Sequence, residues 1–104
     1  MRRSRWACWR RRRQAQRRAV RAAERWRHAP GVGEWVALVT HADLVKFICA
    51  HYMGIPLERV PLFSMDNAAV SLLAFHPDPS QAPSLLCFNW TSPALWIAAA
   101  EHAH

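Results

Sequence analysis

One stretch limits what this chain can become. It is Glu34-Trp-Val-Ala-Leu-Val-Thr-His-Ala-Asp-Leu-Val-Lys-Phe-Ile-Cys-Ala-His-Tyr-Met-Gly54. Trp35 to Val39 is a continuous apolar run of the kind found in buried strands. The pattern then changes without a Gly or Pro between. Leu44, Val45, Phe47, Ile48 and Tyr52 recur at helical spacing. Gly54 suits the residue after the helix, and Pro56 cannot continue it. The stretch is therefore expected to form a strand, a tight turn and a helix, with His41 at the junction. A helix start offers unpaired N–H groups and a partial positive charge, so it attracts anions. His41 would add a hydrogen-bond donor for a phosphate or oxyanion, and Asp43 falls in the favourable first turn. The plain alternative is a surface histidine with no task.

The flanking charge is uneven. The net charge is +7. Residues 1–27 hold twelve arginines against Glu24 alone, +11, and the remainder sums to −4. Residues 1–13 have no helical stripe, and a block of like charge repels itself, so a disordered basic leader is expected. Its arginines with Trp6 and Trp9 could grip and stack on nucleic acid weakly, or lie on an anionic membrane surface. It could also be a targeting segment, or the product of a mis-called start or frame error, which is the preferred reading.

From Gln14 the pattern is helical. Ala15, Ala19, Ala22, Trp26 and Ala29 form an apolar stripe, and Glu24 can pair with Arg21. Pro30-Gly-Val-Gly33 turns the chain. Residues 55–64, with Pro56 and Pro61, read as a loop, with a strand piece possible at Leu62 to Met65. Ala69 to Phe75 and Leu85 to Phe88 read as an antiparallel hairpin around the loop His76 to Pro83, after a turn at Asp66-Asn67.

At 104 residues the chain has room for one small domain. No apolar run is long enough to span a membrane. Cys8, Cys49 and Cys87 lack metal or disulfide spacing and fit a reducing, cytoplasmic setting. His102 and His104 form an HxH pair on a tail, residues 98–104, expected to be flexible. No other catalytic signature is present.

Several motifs together resemble the histidine phosphatase superfamily, the phosphoglycerate-mutase-like fold. Val36-Ala-Leu-Val-Thr-His-Ala-Asp43 resembles its second-histidine strand and turn, with Ala42-Asp43 where Gly-Gly is commoner. Ala50-His-Tyr-Met-Gly-Ile-Pro-Leu57 resembles the end of the following helix. Met65 to Phe75 and Leu86-Cys-Phe-Asn89 resemble later strands, and Gln16 to Trp26 the preceding helix. Pro93 stands near a position where the family has a histidine.

The resemblance runs from about residue 14 to residue 95 and covers the C-terminal part of such a domain. It implies a partial three-layer α/β/α fold, with a mostly parallel sheet ending in an antiparallel hairpin over residues 14–97. It also implies phosphomonoester hydrolysis, or phosphoryl transfer through phosphohistidine, on a phosphorylated small molecule without metal or organic cofactor. His41 would stabilise the phosphoryl group, with Thr40 and Ala42 beside it in the phosphate site.

The family's nucleophile lies in an Arg-His-Gly motif, which these residues lack. Arg27-His28 is followed by Ala29-Pro30 and ends a helix, so it is a decoy. The chain is thus expected to be a fragment, inactive alone and prone to self-association through the exposed Trp35–Thr40 strand. A nucleic-acid-binding module using residues 1–13 and a non-catalytic pseudo-phosphatase are the alternatives.

Overall fold

The computed structural model describes residues 5–29, 31 and 35–92. Two compact units divide the chain, residues 1–63 and 64–104.

The first unit is helical. Helix α1 spans Arg5–Arg27, helix α2 spans Ala42–Met53, and a 3₁₀ helix spans Leu57–Leu62. α1 thus begins well before Gln14. Residues 5–13 are helical where a disordered leader was expected, and arginine explains it, being among the better helix formers. Trp9 adds an anchor within that segment by packing against the core. The face that α1 buries also differs from the expected stripe. Ala19 and Ala23 are buried, whereas Ala22 and Trp26 are exposed. Spacing by fours keeps small residues at the contact with α2, where Gln16 Nε2 donates to the Phe47 carbonyl at 2.9 Å.

α2 ends as its sequence requires. Gly54 has φ 68° and ψ 29°. Its N–H reaches the His51 carbonyl at 3.3 Å, and the Ile55 N–H reaches Ala50 at 2.8 Å. This pair of bonds is a Schellman motif. The chain then doubles back through Pro56 into the 3₁₀ helix, which brings Leu57 and Val60 against Phe47 and Ala50. Leu44 and Ile55 pack on that cluster. Among the described residues no large side chain is fully buried.

Residues 35–40 depart from the expected strand. They lie outside regular structure and are exposed throughout, Trp35 at 76% and Val39 at 99%. A strand is held by ladder bonds to a neighbour. Among the described residues nothing pairs with this segment, so its apolar composition alone does not make it a strand.

The second unit holds an antiparallel pair, β1 (Val70–Ala74) and β2 (Ser84–Trp90). This is the hairpin read from the sequence, and it is the only sheet among the described residues. The expected parallel strands are not part of it. The seven residues of β2 face the five of β1 through two register shifts. Asn89 lies at one of them with φ 56°, a left-handed conformation that asparagine tolerates better than most residues. Its N–H donates to Ser71 Oγ at 3.1 Å, and its Oδ1 accepts from the Asp66 N–H at 2.8 Å. The turn at Asp66-Asn67 is thereby tied to the hairpin.

Cys8 is exposed, Cys49 is buried and Cys87 is half-buried, and all three are free thiols. Of the turn expected at residues 30–33, Gly31 is described, with φ 78°. Its other residues, Pro93, the tail 98–104 and the side chain of Trp6 lie outside what is described.

Candidate functional site at the start of α2

His41 is the N-cap residue of α2, with φ −75° and ψ 153°. Its carbonyl accepts the Leu44 and Val45 N–H groups, each at 3.1 Å, so the helix starts firmly on it. Its ring makes no cap hydrogen bond and is exposed. Thr40 before it is exposed and Ala42 after it is half-buried. The N–H groups of Ala42 and Asp43 have no intrahelical acceptor, as in the first turn of any α-helix. The three residues picked from the sequence are therefore contiguous at a helix start. That arrangement can offer an anion one ring N–H and backbone N–H groups.

The charges nearby nearly balance. Asp43 lies in the first turn, where the helix dipole favours a carboxylate. Lys46 Nζ stands 3.5 Å from Asp43 Oδ1 and donates to the Phe63 carbonyl at 3.3 Å. The lysine stem is mostly buried, so its ammonium is held close to the first turn.

A groove of about 360 Å³ counts Thr40 among its lining. Leu38, Val39, Leu44 and Ile48 line it opposite Ala19 and Trp26 of α1. Arg18 also lines it and adds a guanidinium to an otherwise apolar wall. Arg18 was not singled out in the sequence. It sits in a run of arginines, and only the approach of α1 to residues 38–40 distinguishes it from its neighbours.

His28 has a different setting. The Arg27 guanidinium Nε lies 2.9 Å from His28 Nε2 and 3.2 Å from Glu24 Oε2. His28 Nε2 thus lies within hydrogen-bond reach of both the Arg27 guanidinium and, at 3.2 Å, the Glu24 carboxylate. Glu24 does not pair with Arg21. It bonds Arg27 and His28 and accepts the Tyr52 hydroxyl at 2.5 Å. The Tyr52 hydrogen bond, ahead of the nearby cations, holds the Glu24 carboxyl below its ordinary value, while burial and Glu24 push Tyr52 up.

Among the described residues no cluster of three or more His, Cys, Asp or Glu could hold a metal ion. His102 and His104 lie outside them. No described helix is long and apolar enough to cross a membrane.

A family model described as histidine phosphatase superfamily (branch 1) matches residues 3–90. The chain belongs to the histidine phosphatase superfamily. No curated protein and no solved structure matches it. The family match reaches back through the arginine-rich segment, well before residue 14, and takes in all of α1. Membership puts the chemistry of this histidine phosphatase chain with phosphatases and phosphoryl transfer.

Proposed function

We propose that this chain supplies the second-histidine side of a phosphoryl-binding site. His41 donates to a phosphoryl oxygen, and Thr40 and the Ala42 N–H complete the contact, stabilising charge that grows in the transition state. The observation that carries this reading is the exposed, uncapped His41 ring at the start of α2, on a motif that resembles the family's own. The substrate class is a phosphorylated small molecule, and the reaction is phosphomonoester hydrolysis or transfer through phosphohistidine, with no metal or organic cofactor.

The nucleophile is a separate matter. These 104 residues hold no Arg-His-Gly. His41 cannot both orient the phosphoryl group and attack it, so the chain alone is inactive. Its elements correspond to the C-terminal part of a three-layer α/β/α domain. Residues 35–40 await the parallel neighbour that would make them a strand.

Two measurements test this. Hydrolysis of p-nitrophenyl phosphate by the chain should equal that of His41→Ala; a His41-dependent rate overturns the missing nucleophile. Inorganic phosphate should shift the His41 ring resonances in NMR titration, and the shifts should vanish in His41→Ala. An unmoved His41 ring at millimolar phosphate overturns the phosphoryl site itself.

A further inference from the structure

α1 carries ten arginines and one acid in 23 residues. The fold sorts them. Ala19 and Ala23 are buried, and Ala15 and Gln16 are half-buried on the same side. Arg10, Arg13, Arg17, Arg21 and Arg25 follow one another every three or four residues, and all are exposed. Arg11 and Arg18 flank them. At 3.6 residues per turn these seven occupy about 160° of arc, and from Arg10 to Arg25 the row is about 22 Å long. Among the described residues none of the seven forms an ion pair. Glu24, the one acid of the helix, is drawn to Arg27, His28 and Tyr52.

Such a row is costly in isolation, because like charges at i, i+3 and i, i+4 destabilise a helix by a few tenths of a kcal/mol per pair. A polyanion laid along it removes that repulsion. Guanidinium groups also match phosphate oxygens with paired N–H donors.

The remaining side chains narrow the partner. A membrane-surface helix needs a free apolar face beside its cationic one. Here much of the apolar face is taken up by α2: Ala19 and Ala23 are buried, Gln16 bonds Phe47 and Trp9 joins the core, while Ala22 and Trp26 stay exposed at its edge. Single-stranded nucleic acid is gripped with aromatic platforms. Among the described side chains the arginine face meets one aromatic, Trp26 at its edge, and the Arg25 guanidinium already stands over that ring at 5.9 Å, so no row of open platforms is on offer. A row of guanidinium groups without a matching row of open aromatics among the described side chains fits the regular phosphate backbone of a duplex.

We propose that the outer face of α1 is a docking surface for double-stranded nucleic acid, held by phosphate contacts and indifferent to sequence. The footprint is the folded helix face instead of a disordered leader, and it is independent of His41.

Fluorescence anisotropy with a duplex DNA, a duplex RNA and a single strand of equal length tests it. Duplex affinity should fall about 100- to 1,000-fold between 50 and 200 mM salt, as expected for roughly five phosphates neutralised. The triple variant Arg10→Gln, Arg17→Gln, Arg21→Gln keeps good helix formers. It should lower the slope of log affinity on log salt by about 3 while far-UV circular dichroism stays helical. Arg59→Gln, outside α1, should change neither. A shallow slope for the unsubstituted chain overturns the proposal, whatever the variants do. So does preference for the single strand, tighter binding to phosphatidylserine vesicles, or a folded triple variant that binds as before.

Discussion

Gly54 shows how a single residue fixes an element's end. Its φ of 68° lies where a side chain strains the backbone, yet a Cβ built there would meet nothing within 4 Å. The cost of Gly54→Ala is therefore purely conformational, about 1 kcal/mol, and Gly54→Asn should cost less. Urea denaturation followed at α2 checks both. Tyr52 belongs to the same scale. Its bond to Glu24 joins the two helices, so Tyr52→Phe should cost about 0.5–1 kcal/mol at neutral pH, moderated by the solvent around Glu24. Glu24 is lowered in the fold, so its contribution is present above the ordinary value of 4.5 and is lost as pH falls through the lowered one. Tyr52 is raised, so its contribution is present below 10.0 and is lost as pH rises beyond it. Denaturation at pH 7 and at pH 3 should show the Tyr52→Phe deficit at the first and a smaller one at the second. Gly54 was readable in the sequence because its role is local. The partner of Glu24 was not, since helical spacing offered Arg21 and only the approach of α2 supplies Tyr52.

At the scale of elements, the hairpin and α2 followed from periodicity and punctuation. Each carries its own stop signals: the loop of Pro and Ser before β2, and Gly54 after α2. Trp35 to Thr40 carried the composition of a strand, but ladder bonding depends on a neighbour that composition does not specify. In the dilute, unassociated chain the backbone amides of Val36 to Thr40 should therefore exchange with solvent at least about 100-fold faster than those of Phe47 to Ala50, which lie inside a helix and a core. Hydrogen exchange read by NMR decides it, and protection of Val36–Thr40 equal to that of α2 would mean that they pair with something. The start of α1 was missed for the opposite reason. Charge repulsion was weighed above the helix propensity of arginine and the packing of Trp9, and the fold weighs them the other way.

At the scale of the molecule, burial among the described residues is thin. The first unit gathers Phe47, Ala50, Leu57 and Val60, while Trp35, Val39, Leu62 and Trp90 remain exposed. Scattered exposed apolar residues are ordinary, but Trp35, Val36, Leu38 and Val39 are consecutive enough to form a patch. We expect the chain to self-associate through them. Elution in size-exclusion chromatography should move earlier with concentration, and Trp35→Lys with Val39→Lys should restore a concentration-independent monomer without changing helix content. An unsubstituted chain that elutes as a monomer at every concentration refutes this. The α/β class was legible in the sequence, whereas the division at Phe63 and Ser64 was not. Each unit is closed by contacts inside it, and a loop with Pro56 and Pro61 reads as a turn of the chain whether or not contacts stop there.

The three thiols turn that division into something a chemist can time. Cys8 is open to reagent, Cys49 lies in the core of the first unit and Cys87 in the hairpin of the second. Burial raises the Cys49 thiol, so it is protonated and unreactive while the unit stays closed. Under iodoacetamide, Cys8 is alkylated at once and sets the intrinsic rate. The lag of Cys49 behind it then measures how often the first unit opens, while half-buried Cys87 reports the partial cover of the hairpin, in one tube and by mass alone.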